Sequence, residues 1–342
     1  MKNSKFKIHN SKFSKIRAYY SGWILPLVDF LILYPALLIM RRKTTKGIQL
    51  QYHGDKKLIE RDIRHGAFFI TNHRDIVMDA AWLTFLLRTR YFIHPFFGIG
   101  NNLFGKWWIE HVVRFLRAFV VIRNGSFHDQ RENAITLSQY IRHLRKRHKS
   151  IWLAQREGRA KDGNDVTQPG VLKMLTIDAE DFFESVKELN ICPVSISYEY
   201  DPCDYLKARE MQLKRDNPMW KKSRKDDLVS MSVGIKGQKG RIVYRLTPSI
   251  NHDIDAALAK NPALRELSRN EQIQFVCQII DQHIHSAYEI YPRGKEFDEY
   301  IESRLQLIHL SNKDTDFLRD RLYEMYNYPV LNYEKAVKKY DY

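Results

Sequence analysis

The chain has 342 residues, of which 44% are hydrophobic, and it carries a formal net charge of +16. This length can bury a sizeable core and, at roughly 100–200 residues per domain, indicates one large domain with an added segment, or two domains. The three cysteines, Cys192, Cys203 and Cys277, form no CxxC pair, which argues against a disulfide framework and structural zinc and favours a reducing compartment.

The N-terminal segment, residues 1–47, has an apolar run between two basic clusters. Its first 46 residues contain ten lysines and arginines and one acidic residue, Asp29. The apolar run is GWILPLVDFLILYPALLIM at 22–40. This order predicts attachment to membrane lipids at the cytoplasmic face, and because the charge adjoins apolar sequence we expect no nucleic-acid partner. Pro26, Pro35 and Asp29 favour a segment that lies in the membrane surface, although a single N-terminal span stays open.

Residues 48–250 alternate short β-favouring runs with longer helical stretches. Strands are predicted at 67–71, 91–98, 118–123, 151–154, 192–199, 229–235 and 241–247. Helices are predicted at 76–90, 103–116, 129–148, 170–189 and 204–215. This alternation predicts an α/β domain with a mostly parallel central sheet flanked by helices.

Beyond residue 250 the strand pattern disappears, and residues 251–342 are predicted to form a helical C-terminal appendage. The tetrapeptide SRNE at 268–271 has the capping-box pattern that opens a helix. Further along, the sequence DQHIH places Asp281, His283 and His285 two residues apart. Side chains two apart on a helix point about 200° from each other, so we expect no metal site there.

A cluster of polar residues follows the strand predicted at 67–71. The sequence runs from the apolar FFIT into His73, Arg74, Asp75 and, four residues later, Asp79. Open α/β sheets bind their ligands at the carboxyl ends of strands. In isolation, however, such a cluster more often serves helix capping and surface chemistry than catalysis.

Four stretches occur in a set order, namely NHRDIVMD (72–79), AFVVIR (118–123), REGRAKDG (156–163) and ICPVSISYE (191–199). Together they resemble the glycerolipid acyltransferases, the family of glycerol-3-phosphate and 1-acylglycerol-3-phosphate acyltransferases. The resemblance covers roughly residues 65 to 250. Similarity to the bacterial glycerol-3-phosphate subgroup extends over GNNLF (100–104), QPGVLKM (168–174) and GRIVYRLTP (240–248).

The resemblance implies transfer of a fatty acyl group from acyl-CoA or acyl carrier protein to a hydroxyl of sn-glycerol 3-phosphate or 1-acylglycerol 3-phosphate. His73 would be the general base, because a neutral imidazole can take a hydroxyl proton near physiological pH. Asp79 would orient the ring and stabilise the imidazolium, with Asp75 as the alternative. Asn72 and the amides that start the next helix are candidates to hold the oxyanion. A thiolate leaves readily, so we expect no metal and no cofactor besides the acyl donor.

The resemblance also implies a phosphate site. Arg123 and Arg159 would bind the acceptor phosphate, because the guanidinium fork matches phosphate oxygens. Glu157 and Gly158 would shape the same loop, with glycine letting the backbone approach a ligand closely.

Two positions depart from the family pattern. Five residues rather than four separate His73 from Asp79, which on a regular helix rotates the carboxylate by about 100°. The pair would therefore need a bent first helical turn, or Asp75 in place of Asp79. Arg117 stands where the second family stretch begins with glycine.

Several alternatives stay open at this point. The basic runs RHLRKRHK (142–149) and KKSRK (221–225) fit solvated faces, or docking of an acidic acyl carrier protein. The acceptor is a phosphate-bearing glycerol compound or another lyso-lipid, such as one that contains an amino acid. The altered spacing of His73 and Asp79 also fits a catalytically silent, membrane-binding homologue.

Overall fold

A seven-stranded sheet forms the centre of the computed structural model, which describes residues 29–100, 117–122 and 126–338. The strands lie in the order β1-β7-β6-β2-β5-β3-β4, and every neighbouring pair is parallel except β6 and β7. Their bounds are β1 (Gly47–Tyr52), β2 (Phe68–Thr71), β3 (Phe96–Gly100), β4 (Ala118–Val121), β5 (Ile151–Ala154), β6 (Ile191–Tyr198) and β7 (Arg241–Leu246). The predicted mostly parallel α/β sheet is therefore confirmed.

Helices surround the sheet and make up the C-terminal part of the chain. After a π-helical turn at Asp29–Leu33, the helices are α1 (Tyr34–Thr44), α2 (Lys56–Arg64), α3 (Met78–Tyr91), α4 (Phe127–Lys146), α5 (Pro169–Leu175), α6 (Phe182–Leu189), α7 (Asp204–Asp216), α8 (Arg224–Lys236), α9 (Asn251–Lys260), α10 (Arg269–Ser286), α11 (Lys295–Gln306) and α12 (Thr315–Lys338). A short 3-10 helix, Pro262–Glu266, links α9 to α10. The prediction of a helical C-terminal region is confirmed.

The strand predicted at 229–235 is wrong, because these residues lie in α8. Ser223 accepts a hydrogen bond from the Asp226 amide, and the Asp226 side chain accepts one from the Ser223 amide. This capping box starts a helix whose continuation overrides the β preference of the valines that follow. A similar cap, Asp181, starts α6 and divides the single helix predicted at 170–189 into α5 and α6.

The two faces of the sheet are covered by different helices. Phe68 and Ile70 of β2 face a core that includes α4, α5, α6 and α10, whereas Phe69 faces a core that includes α2 and α3. This division follows from the alternation of side chains along a strand. Helix α10 is therefore part of the main hydrophobic core, and α11 and α12 pack together in a third cluster that includes Ala208 of α7.

The described residues contain no helix with the length and apolarity needed to cross a bilayer. Most of the predicted membrane-attachment segment, residues 1–28, lies outside the described residues, as does the helix predicted at 103–116. Of the apolar run at 22–40, the described portion ends in α1. Tyr34 of that helix packs edge-on against Phe85 of α3.

Candidate active site

The central contact of the candidate site joins His73 to Asp79. His73 lies in the turn between β2 and α3, and its Nδ1 is 2.9 Å from Asp79 Oδ2. Because a carboxylate oxygen accepts, Nδ1 carries the proton and Nε2 of the neutral ring keeps its lone pair. The His73 side chain is 13% exposed, whereas Asp79 is fully buried. The ring can therefore be reached from outside while its orienting carboxylate is shielded from water.

The five-residue spacing does not separate this pair. Helix α3 begins only at Met78, so Asp79 is its second residue and the intervening residues form a non-helical turn. Asp79 Oδ2 also accepts from the amides of Arg74 at 2.7 Å and Asp75 at 2.9 Å. The turn thus wraps around the carboxylate, which supplies the bend that the additional residue requires.

Asp75 caps the helix and is not the hydrogen-bond partner of His73. Its Oδ1 accepts from the amides of Val77 and Met78, each at 2.9 Å. Burial and the neighbouring charge of Asp79 raise the pKa of Asp75. Of the two carboxylates predicted to orient the imidazole, the structure brings Asp79 to it and assigns Asp75 to the start of α3.

Asn72 joins two strands and has no remaining donor for an oxyanion. Its Nδ2 donates to Ile196 O at 2.9 Å and to Asp165 Oδ2 at 3.3 Å, and its Oδ1 accepts from the Ile196 amide at 2.8 Å. The amides of Val77 and Met78 are likewise bound to Asp75. In this arrangement Asn72 and the amides of Val77 and Met78 are therefore not available to an oxyanion.

Two buried tyrosines donate hydrogen bonds to Asp79, and sequence reasoning missed both. Tyr198 OH donates to Asp79 Oδ1 at 3.1 Å, and Tyr244 OH donates to the Asp79 carbonyl at 3.1 Å. Burial raises the pKa of both phenols well above its usual range, so both stay protonated donors. Tyr198 ends β6, the strand parallel to β2, so the pairing of these strands is the signal that would have found it.

Asp165 is a second buried acceptor that the sequence analysis did not single out. Its Oδ2 accepts from Arg74 Nη2 at 2.8 Å and from Tyr288 OH at 3.2 Å, and its carbonyl accepts from His285 Nε2 at 2.6 Å. Helix α10 thereby takes part in fixing the turn that holds His73. The same helix directs the polar side chains of residues 281–285 to different partners. Asp281 accepts from Thr167, and His283 hydrogen-bonds to Asp253.

The predicted phosphate-binding loop follows β5 on the same edge of the sheet. Gly158 has a left-handed φ of +69°, and open space lies where a Cβ would stand. Glu157 is exposed, and its amide donates to Gln168 Oε1 at 2.7 Å. A left-handed glycine beside open space is the backbone geometry that allows close approach of a ligand.

Arg159 lies in the same loop and is partly buried. Its Nη1 is buried without a hydrogen-bond partner. Burial by itself would lower the pKa of Arg159, but the neighbouring Cys203, Asp201 and Asp75 raise it, so the guanidinium stays charged. The other predicted phosphate ligand, Arg123, lies outside the described residues.

A cleft opens beside the turn at this edge of the sheet. Its wall includes Arg74, Tyr198, Asp201, Lys207, Tyr291 and Arg293. Lys207 Nζ lies 2.5 Å from Asp201 Oδ2 and 3.4 Å from the Arg74 carbonyl. The cleft adjoins the turn through Arg74 but is not lined by His73 or Asp79, and its Arg74 and Lys207 are already paired with Asp165 and Asp201.

Substitution of Gly234 by alanine tests whether α8 supports the turn. A Cβ at this helical glycine would overlap the Asp75 carboxylate. We expect Gly234→Ala to lower the free energy of unfolding by about 1–3 kcal/mol, because the added methyl group overpacks the contact. This loss should appear even though alanine stabilises an unobstructed helix by about 1 kcal/mol relative to glycine. Denaturant unfolding measures this change. Gly170→Ala in α5 is the control, because no atom lies within 4 Å of its added Cβ, and equal stability of both variants would contradict the contact.

Comparison with known proteins gives the chemistry of this domain. Residues 49–197 match the acyltransferase family model, a range that runs from β1 to β6 and contains His73, Asp79 and Arg159. No curated protein matches the chain. The family-level resemblance is therefore supported over this range, whereas the glycerol-3-phosphate subgroup stays a prediction. The chain carries an acyltransferase domain at residues 49–197 and is an acyltransferase enzyme.

Proposed function

We propose that the protein transfers a fatty acyl group from an acyl thioester to a hydroxyl of sn-glycerol 3-phosphate or 1-acylglycerol 3-phosphate. The observation that carries this proposal is the 2.9 Å contact between His73 Nδ1 and Asp79 Oδ2. It leaves Nε2 as the basic atom at the carboxyl edge of the sheet. Acyl-CoA or acyl carrier protein would supply the acyl group, and no other cofactor enters the proposal.

In the proposed reaction, His73 Nε2 takes the proton of the acceptor hydroxyl as its oxygen attacks the thioester carbonyl carbon. A carbon–oxygen bond forms, the carbon–sulfur bond breaks, and the leaving thiolate takes the proton from the imidazolium. Asp79 stabilises that imidazolium without moving, because Tyr198 and two backbone amides already hold its carboxylate. A fixed carboxylate adds little reorganisation cost to the step.

The loop after β5 supports an acceptor that carries phosphate. Arg159 stays charged and has a buried Nη1 without a protein partner, and Gly158 leaves open space beside it. Phosphate oxygens can accept from such a guanidinium. The contributions proposed for Arg123 and Glu157 rest on the sequence resemblance alone.

The surface beside the site supports a position on the cytoplasmic face of a membrane. Helix α1 exposes Leu38 and Ile39 next to the exposed cations Arg41, Arg42 and Lys43. Helix α8 packs against α1 and exposes further apolar side chains, Leu228 and Val229. Apolar side chains flanked by cations favour binding to anionic lipid surfaces. We infer that the enzyme lies with α1 and α8 towards the lipid, so that an acyl chain reaches His73 from the membrane.

An acyl carrier protein, if it is the donor, would dock most favourably at the basic run 221–225. This run leads into α8, whose Gly234 touches the turn that holds His73. The other run, 142–149, precedes β5 and so lies at the opposite edge of the sheet from His73, which follows β2. An acyl group delivered at that edge would start far from the proposed base.

Replacement of His73 tests the proposed base. We expect His73→Ala to lower turnover by about 10²–10⁴-fold, the usual contribution of a general base. Asp79→Asn should lower turnover by a similar factor while the far-ultraviolet circular dichroism stays unchanged. Release of thiol from an acyl thioester in the presence of each acceptor measures both. His128→Ala, at a histidine whose side chain is 78% exposed, serves as the control, and near wild-type turnover of His73→Ala would refute the proposal.

Replacement of Arg159 tests the phosphate site. We expect Arg159→Gln to raise the KM for a phosphate-bearing acceptor at least tenfold, about 1.4 kcal/mol, with the KM for the acyl donor unchanged. Steady-state kinetics with sn-glycerol 3-phosphate, 1-acylglycerol 3-phosphate and an amino-acid lyso-lipid would measure this change. Arg147→Gln, at an exposed arginine elsewhere, is the control. If the unaltered enzyme prefers the amino-acid lyso-lipid, the proposed phosphate-bearing acceptor is wrong.

A charge placed on α1 tests the membrane-facing surface. Leu38→Asp should weaken binding to vesicles that contain phosphatidylglycerol about tenfold, because it places a charge where an apolar side chain would contact lipid. Vesicle flotation of the full chain measures binding. Leu307→Asp is a matched control, since Leu38 is 44% exposed and Leu307 46%. If both substitutions weaken binding equally, α1 is not the contact surface.

A further inference from the structure

A second cleft lies at the amino edge of the sheet, opposite His73. It is formed where α2, α4 and α6 end, directly before the mutually parallel strands β2, β5 and β6. Its wall includes His65, Arg142, Arg145, Lys146, His148, Lys187 and Glu188. Four residues of β2, at about 3.3 Å each, separate the two edges by about 13 Å. The cleft is therefore distinct from the candidate active site.

Arg145 occupies this cleft as a buried cation without a counterion. It is 9% exposed, its Nη1 donates to the Lys149 carbonyl at 3.1 Å, and its Nε is buried without a hydrogen-bond partner. Burial lowers the pKa of Arg145, and no carboxylate offsets this effect. A buried charge is costly unless an opposite charge or further hydrogen bonds compensate it. The carbonyl ends of α2, α4 and α6 supply only partial negative charge at this position, so a bound anion would complete the compensation of Arg145.

The acidic residues of the cleft already have other partners. Glu188 accepts from Arg142 Nη1 at 2.8 Å, and Asp62 lies 3.0 Å from His252 Nε2. Within the part of the chain that the structure describes, no carboxylate pairs with either Arg145 or the exposed Lys146. The cleft therefore holds a net positive charge next to these two side chains.

Two histidines add hydrogen-bonding capacity at the rim. His65 Nδ1 lies 3.0 Å from the Arg61 carbonyl, and His148 Nδ1 lies 3.3 Å from the His65 carbonyl. Because a carbonyl only accepts, each Nδ1 is the donor and Nε2 of each neutral ring keeps a lone pair, which can accept from a protonated phosphate oxygen or from water. The set of groups is a guanidinium, an ammonium and two imidazoles.

We propose that this cleft binds the phosphate group of an anionic ligand through Arg145 and Lys146. A guanidinium and an ammonium supply charged N–H donors that match the acceptor oxygens and the negative charge of a phosphate group, whether it is a monoester or a diester. The phosphate belongs either to a small soluble ester or to a phospholipid head group that the amino edge of the sheet contacts. The proposal does not depend on the acyl acceptor or on His73.

A matched pair of charge reversals tests this site. Calorimetric titration of the full chain with inorganic phosphate is compared for Lys146→Glu and Arg147→Glu, two exposed neighbours that change the net charge equally. Of these two residues, Lys146 lines the cleft and Arg147 does not. We expect Lys146→Glu to weaken phosphate binding at least tenfold and Arg147→Glu to change it less than twofold. Arg145→Gln should abolish the same binding, and if that variant does not fold, Lys146→Glu decides alone.

Vesicles separate the two sources of the phosphate group. Flotation with phosphatidylglycerol vesicles, referenced to phosphatidylcholine vesicles, is measured for the same variants. Loss of vesicle binding specific to Lys146→Glu assigns the site to a lipid head group, and loss of only inorganic phosphate binding assigns it to a soluble ester. Equal effects of Lys146→Glu and Arg147→Glu in both assays, or no effect in either, would overturn the proposal. Acyl transfer by Lys146→Glu without added phosphate should equal that of the unaltered enzyme, which distinguishes failure here from failure of the proposed reaction.

Discussion

The carboxylate of Asp79 is the point on which the candidate active site depends. It is fully buried, and such a charge is tolerated only when its oxygens are hydrogen-bonded. The His73 ring, two backbone amides and the Tyr198 hydroxyl provide four donors. Each hydrogen bond to a charged group contributes roughly 1.5–3 kcal/mol. The same bonds that offset the burial of Asp79 therefore fix the orientation of the imidazole.

The topology of the sheet explains how these donors meet. Strand β6 lies parallel to β2, so Tyr198 at its end reaches the turn that follows β2. Strand β7 pairs with β6 in the opposite direction and brings Tyr244 beneath the first turn of α3. Helix α8 packs against the same turn, with Gly234 next to the Asp75 carboxylate. Elements that lie far apart in sequence therefore surround the base. Rigid surroundings of this kind are what a preorganised site requires.

The sequence predicts the parts of this arrangement that are local. Six of the seven strands overlap predicted runs, whereas β1 (Gly47–Tyr52) is not predicted. His73 stands out because polar residues follow an apolar strand directly. The run at 229–235 is misassigned because its valines favour strand, whereas the decisive signal is a cap several residues earlier. The choice between Asp75 and Asp79 is not readable from sequence, because it depends on which residue begins α3. Tyr198 and Asp79 are 119 residues apart, so only strand pairing reveals their contact.

The hydrogen bonds to Asp165 from α10 and from the residues just after it have a consequence for synthesis of the protein. His285 and Tyr288 anchor the residue that neutralises Arg74, next to His73. A nascent chain that has emerged only through β7 contains the whole matched domain but lacks this anchor. The full set of hydrogen bonds around the turn therefore exists only once residues beyond the matched acyltransferase range have been made.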